Sequence, residues 1–165
     1  MVKKTVLHLM LLILSTVLMA QPEKESNTSV VIDQGILLWS ITEVYEAFGE
    51  PDSVFRDALN NGISYIHHIY DNFEVVAWSR YPNRVESILV ETNQILLFGF
   101  ISVGQQLSEI LSESIAQNIQ IQRHSANVYR IIVPEISNNQ QSTFPVITLV
   151  LEDGVLKRYS ITKNL

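Results

Sequence analysis

The stretch SITEVYEAFGEPD, Ser40 to Asp52, dictates a short helix and then forbids its continuation. Ser40 is a helix-capping residue, and Glu43 follows at the spacing where each side chain accepts the other's backbone N–H. Ile41, Val44, Tyr45 and Phe48 recur at i, i+3, i+4 and i+7, which lays them along one helical face. Gly49 can adopt the left-handed backbone that closes a helix, and Pro51 has neither the N–H nor the room to prolong it. Beyond Pro51 the chain must be built from another kind of element.

That element is the strand. ISYIHHIY (63–70), FEVVAW (73–78) and RVESILVE (84–91) are rich in β-branched and aromatic residues. Asp71-Asn72 and Tyr81-Pro82-Asn83 separate them as predicted turns. A second helical stripe then appears in SVGQQLSEILSESIA, with Val103, Leu107, Ile110, Leu111 and Ile115 on one side. Ser102 and Gln105 repeat the capping spacing, so this helix is expected to start there. VYRIIVP (128–134), FPVITLVLE (144–152) and VLKRYSIT (155–162) supply three further strands. Asp153-Gly154 between the last two is a strong hairpin signal, because both positions of the tight turn need positive φ.

The chain therefore reads helix, three strands, helix, three strands. VYEAFGEP aligns with LSEILSES without gaps, and SILVET with RYSITK after the polar loop ISNNQQST (136–143). The expected fold class is α+β: a duplicated helix–three-strand (αβββ) unit whose antiparallel sheet is covered by helices on one face. Residues 35–93 form the first unit and residues 94–165 the second, together one compact two-lobed domain. Two copies are too few for a solenoid.

A capped helix ending FGEPDSV, followed by a tyrosine-bearing strand and a hairpin, resembles the units of small bacterial envelope proteins of the SmpA/OmlA kind. It is also similar to the tandem fold of β-lactamase-inhibitor-like proteins. Phe48-Gly49-Glu50-Pro51 stands at the Leu-Gly-x-Pro stop of those units. RVESILVE followed by GFISVGQQLSEIL resembles their strand-to-helix join, with Gly99, Ile101 and Gly104 as markers. Ser112-Glu113-Ser114 replaces the second stop, which predicts a longer or less sharply ended helix. The resemblance implies a protein-binding scaffold outside the cytoplasm, with no chemistry of its own.

The amino terminus points to the same compartment. Lys3 and Lys4 precede an apolar run from Val6 to Met19, and Ala20 is a suitable cleavage residue before QPEKES. Residues 1–20 are thus read as a signal peptide, the run being short of the ~20 residues that cross a bilayer. Residues 21–34 are read as a flexible leader. With no cysteine in the chain there is no lipid-anchor residue, disulfide, thiol nucleophile or cysteine metal ligand. A periplasmic or secreted location is expected, with no stable membrane span after cleavage. The formal net charge is −6, and loss of Lys3 and Lys4 makes the remainder more acidic. Without a basic cluster, such a chain repels nucleic acid.

Candidate chemistry is sparse. No nucleophile elbow, zinc-protease helix, P-loop or dinucleotide fingerprint occurs, and Glu43, Glu46, Glu50, Asp52 and Asp57 read as a solvated helix face and turn. The expectation is a protein that is not an enzyme and holds no cofactor. His67 and His68, with Asp71 and Glu74 nearby, invite a metal-site reading. Strand neighbours point to opposite faces, however, so His67 belongs with Ile63, Tyr65 and Ile69, and His68 with Ile66 and Tyr70. An alternative function, a small metal- or ligand-binding protein or hydrolase, would use His67, His68 and His124. Among the aromatics at strand ends and joins, namely Trp39, Trp78, Tyr81, Phe98 and Phe100, the preferred partner-binding cluster is Trp78, Arg80 and Tyr81. These residue types dominate protein-binding hot spots. The predicted function is an exported, non-enzymatic protein-binding or inhibitor-like module of a bacterial cell envelope, with another envelope or secreted protein as its partner.

Overall fold

The computed structural model describes residues 30–57, 64–137 and 142–164. The signal peptide, most of the leader, Ile63 and the middle of the 136–143 loop lie outside the described residues. Strand β1 (Val30–Ile32) leads into a short 3-10 helix (Gln34–Leu38) and then into helix α1 (Ile41–Phe48). Strands β2 (Ser53–Arg56), β3 (Tyr65–Ile69), β4 (Phe73–Trp78) and β5 (Tyr81–Val90) follow. After β6 (Ile95–Leu97) come α2 (Leu107–Ala116), β7 (Gln120–Arg123), β8 (Val128–Ile132), β9 (Ile136–Ser137), β10 (Ser142–Glu152) and β11 (Val155–Asn164).

Helix α1 forms as its sequence requires. The Ser40 hydroxyl accepts from the Glu43 N–H at 3.2 Å, and a Glu43 carboxylate oxygen accepts from the Ser40 N–H at 2.6 Å. Ile41 and Val44 are buried. The helix ends at Gly49, whose φ of 82° and ψ of −176° lie in a region open essentially to glycine alone.

The main sheet runs in the order β2-β3-β4-β5-β11-β10-β8-β7, and every pairing along that path is antiparallel. Each helix is thus followed by a meander, and the two meanders join where β5 pairs with β11, Ile88 opposite Ile161. The fold is α+β, mostly antiparallel sheet with helices. One face of the sheet carries Val75, Ala77, Val85, Ile88, Ile147, Leu149, Tyr159 and Ile161, all buried. Ile36, Leu37, Ile41, Val44, Ile101 and Ile110, from the segments packed over that face, join them in the core. Tyr159 is fully buried, and its hydroxyl donates to the Ile95 carbonyl at 3.0 Å. Desolvation raises its pKa well above the usual phenol range.

Several expectations need correction. Residues 30–34 are not leader: Val30–Ile32 pairs in parallel with Ile95–Leu97, Ile32 is buried, and Gln34 opens the 3-10 helix. Each meander has a further short strand, β2 or β7, that the three-strand reading lacks. Both lie at sheet edges and are largely exposed; β2 has no buried residue, and the apolar alternation of β7 is limited to Ile119 and Ile121, too short to mark a strand on its own. Tyr81-Pro82-Asn83 is not the β4–β5 turn. Trp78 pairs with Tyr81 across Ser79-Arg80, and the Ser64 N–H donates to the Ser79 hydroxyl at 3.0 Å.

Helix α2 starts later than its first capping signal. Ser102 and Gln105 make their contact in a turn, while the helix opens at Gln106, whose N–H donates to the Glu109 carboxylate at 3.4 Å. Val103 therefore lies outside the helix, Ile110 and Ser114 face the core, and Ile115 is 81% exposed. In place of a glycine stop, Asn118 takes φ 57°, the Ile119 N–H reaches the Ser114 carbonyl at 2.8 Å, and the Asn118 N–H reaches that of Ile115 at 3.1 Å. Those two bonds close the helix as a Schellman motif. The Asp153-Gly154 hairpin is as expected, with φ of 52° and 78°.

Candidate functional site

Strand alternation gives the sheet a second face, opposite the helices. Pairing register places Phe55, Tyr65, His67, Glu74, Val76, Trp78, Tyr81 and Leu89 there from the first meander. The second meander adds Val128, Arg130, Thr148, Val150, Arg158 and Ser160. Among the described residues none of these is buried; all are half-buried or exposed. This face is open.

Its two halves differ in chemistry. Aromatic side chains gather on β2 to β5, whereas the open face of β7 to β11 presents mostly Thr, Val, Gln and Arg, with one exposed aromatic, Phe144, at 58% on β10. Tyr65, Trp78 and Tyr81 lie directly opposite one another on three consecutive strands and form one cross-strand row. The Trp78 and Tyr81 rings meet edge to face with centroids 6.0 Å apart. Tyr81 is 47% exposed, and the Arg84 guanidinium carbon stands 5.5 Å from its ring centre. The buried Trp78 indole N–H has no acceptor among the described residues.

A second row starts at the sheet edge. Phe55 stacks flat on His67 with centroids 4.5 Å apart. His67 Nδ1 contacts the Glu74 carboxylate, and its Nε2 lies 3.5 Å from Asp57. Asp57 is itself held by the Tyr65 N–H, which donates to its carboxylate at 2.6 Å. The Glu74 contact holds the imidazole on its Nδ1 side, Nε2 makes no hydrogen bond among the described residues, and the exposed Phe55 rests on the ring face.

Of the sequence-predicted cluster, Trp78, Arg80 and Tyr81 do come together at the β4–β5 turn. Arg80 occupies the exposed turn itself, and Arg84 rather than Arg80 engages the Tyr81 ring. Trp39, Phe98 and Phe100 are instead partly buried against the core, with Trp39 6.4 Å from Phe48. Tyr65, Phe55 and His67 belong to the open face but are not among the partner-binding residues that residue type suggests. Alternation in ISYIHHIY does place Tyr65 and His67 on one side; Phe55 gives no signal because its strand has no pattern of its own.

The histidine alternative does not assemble. His68 lies on the covered face, 5% exposed, with its Nδ1 2.8 Å from the Tyr45 hydroxyl. Burial, and then neighbouring His67, lower its pKa. His67 faces the other way, and His124 follows β7 at the far edge of the strand order from β2 and β3. Among the described residues no group of three His, Asp or Glu side chains is placed to hold a metal ion. Asp71 lies in the β3–β4 turn, where it accepts from the Asn72 side-chain amide at 2.7 Å.

A cleft of about 440 Å³ lies on the helix side at the end of α1, between Phe48, Tyr70, Phe73, Glu50, Asp52 and Gln94. The Tyr70 and Phe73 rings stack at 4.1 Å, and the Tyr70 hydroxyl donates to the Gly49 carbonyl at 3.1 Å. Desolvation, with Tyr45, Glu50 and Asp52 nearby, raises the Tyr70 pKa to about 12. Where Gly49-Glu50-Pro51 turns the chain into β2, the Tyr70 bond ties the end of the helix to the residue after β3. No described helix is long and apolar enough to cross a membrane.

Compared with known proteins, the chain matches no family and no curated protein. Among solved structures it is similar to a protein from Streptococcus mutans described as a proposed β-lactamase inhibitor. The two are 15% identical, the match covers 82% of this chain and 90% of that one, and the TM-score is 0.29. At that score no residue of one can be equated with a residue of the other. A likeness to SmpA/OmlA-like proteins finds no counterpart in these comparisons.

Proposed function

We propose that this protein is an exported, non-enzymatic binding module, inhibitor-like in that it acts by occupying another protein's surface. The observation that carries this reading is the open sheet face with its row of Tyr65, Trp78 and Tyr81. Half-buried aromatic rings on a rigid sheet offer large contact area with little rotamer entropy left to lose. Export to the periplasm or medium rests on Lys3, Lys4 and the apolar run to Ala20. A bacterial envelope or secreted protein is then the partner. The recurrence of helix then meander on either side of the β5–β11 pairing supports descent of the two units from a duplication.

The test is capture by immobilised residues 21–165 from envelope extract, compared with Trp78→Ala and Tyr81→Ala. Ile115→Ala, on the exposed side of α2, serves as the surface control. One protein should be retained by the parent and the control and lost from both open-face variants. Retention of nothing at micromolar bait, or equal retention by all four, overturns the proposal.

A further inference from the structure

Strand β2 ends the sheet path, and nothing among the described residues pairs with its outer edge. All four of its residues are exposed, including Val54 at 52% and Phe55 at 51%. Isolated edge strands usually carry charge, proline or a bulge on the exposed edge to prevent association. At the opposite end, β7 reads Gln-Ile-Gln-Arg, with only Ile121 half-buried. β2, Ser-Val-Phe-Arg, carries the same single arginine but also shows two large apolar side chains to water.

The direction of its free backbone groups is set by the ladder. The Asp57 N–H donates to the Tyr65 carbonyl at 3.1 Å, so residues 57, 55 and 53 direct their N–H and C=O groups toward β3. Val54 and Arg56 therefore direct theirs outward. An antiparallel copy centred on Val54 exchanges both hydrogen bonds between the two Val54 residues and brings Asp52 opposite Arg56 on each side. Asp52 and Arg56 are both exposed, and Arg56 has no ion pair among the described residues. Sliding the register by two residues, to centre on Phe55, sets Arg56 against Val54 and loses that charge match.

We infer that the protein forms a symmetric dimer by edge-to-edge pairing of β2 with β2 of a second copy, in the register that sets Val54 against Val54 and Asp52 against Arg56. The two-fold axis of such a pair is perpendicular to the sheet. Both open faces then lie on the same side, and the two Phe55 rings become diagonal neighbours between them. The dimer offers a partner one continuous surface of twice the width.

Sedimentation of residues 21–165 across roughly 1–100 μM tests this, with the weight-average mass expected to rise with concentration as it does for a small, transient interface. Val54→Pro removes an outward N–H but no bond to β3, so it should leave the melting transition in place while weakening dimerisation at least about tenfold. Arg56→Asp should also give monomer, and adding Asp52→Arg to it should restore the dimer. Because the chain has no cysteine, Val54→Cys can be joined by a short bis-maleimide as a direct check of register. A chain that stays monomeric throughout, or a dimer indifferent to Val54→Pro and to the charge exchange, overturns the inference. If Val54→Pro does not fold, the charge exchange decides alone.

Discussion

His68 is a titratable ring held where its charged form is unfavourable. Its environment lowers the pKa from 6.5, first by desolvation and then through His67. As pH falls, the unfolded chain takes up this proton before the folded one does. The stabilising contribution is therefore complete above the unfolded value. It declines as pH falls from there and levels off once the folded ring is also protonated. Urea midpoints at about pH 7.5 and pH 5.5 should show this, with the parent losing more stability on acidification than His68→Gln. An equal loss in both proteins would place the acid sensitivity elsewhere. Tyr45→Phe belongs to the same contact. It leaves Nδ1 of a 5%-exposed ring without its partner and should cost about 1–3 kcal/mol at neutral pH by denaturant titration.

At the scale of elements, local chemistry decides how much of the fold is legible in the sequence. Helix α1 is legible because cap, stripe and stop lie close together in the chain and agree. Gly49→Ala should cost roughly 1–3 kcal/mol, because its φ of 82° is unsuited to a Cβ even though nothing lies within 4 Å of where one would stand. A thermal melt at the parent's midpoint would reveal a smaller loss if the chain rearranged there. The start of helix α2 is misleading in sequence because residue types favour a start after Ser102, with Gln105 three on, over the start taken after Gln106, with Glu109 three on. Tertiary bonds decide between them: the Leu107 N–H reaches Gly154 and the Leu156 N–H reaches Gln105, which pins the preceding turn to the β10–β11 hairpin. β2 and β7 leave little trace for a different reason. β2 has one neighbour and no buried residue, and the alternation of β7 is confined to Ile119-Gln120-Ile121-Gln122, so their assignment depends on β3 and β8. Trp78 and Tyr81 are legible as a site from residue type and a nearby turn. Their alignment with Tyr65 depends on cross-strand register, which placing the turn at Tyr81-Pro82-Asn83 conceals.

For the whole molecule, the decisive feature is that its two meanders share one sheet and one core. β5 meets β11 at the centre of the path, with Val85, Ile88 and Val90 in the same apolar layer as Tyr159 and Ile161. β1, at the start of the first unit, pairs with β6 of the second, and the Tyr159 hydroxyl bonds Ile95 beneath the junction. Cutting the chain between the units would expose two long apolar edges, β5 and β11, and half of the core layer beneath each. A unit of about 60–70 residues has little stability to spare even with its own core intact. Residues 30–93 and 94–165, prepared separately, should therefore show no cooperative thermal transition by circular dichroism. Mixed at equal concentration, they should regain one, together with the dispersed amide spectrum of the intact chain. A cooperative melt of either fragment alone would mean that the units are independent domains. The aromatic row on β3 to β5 would then be held by the first unit without support from the second.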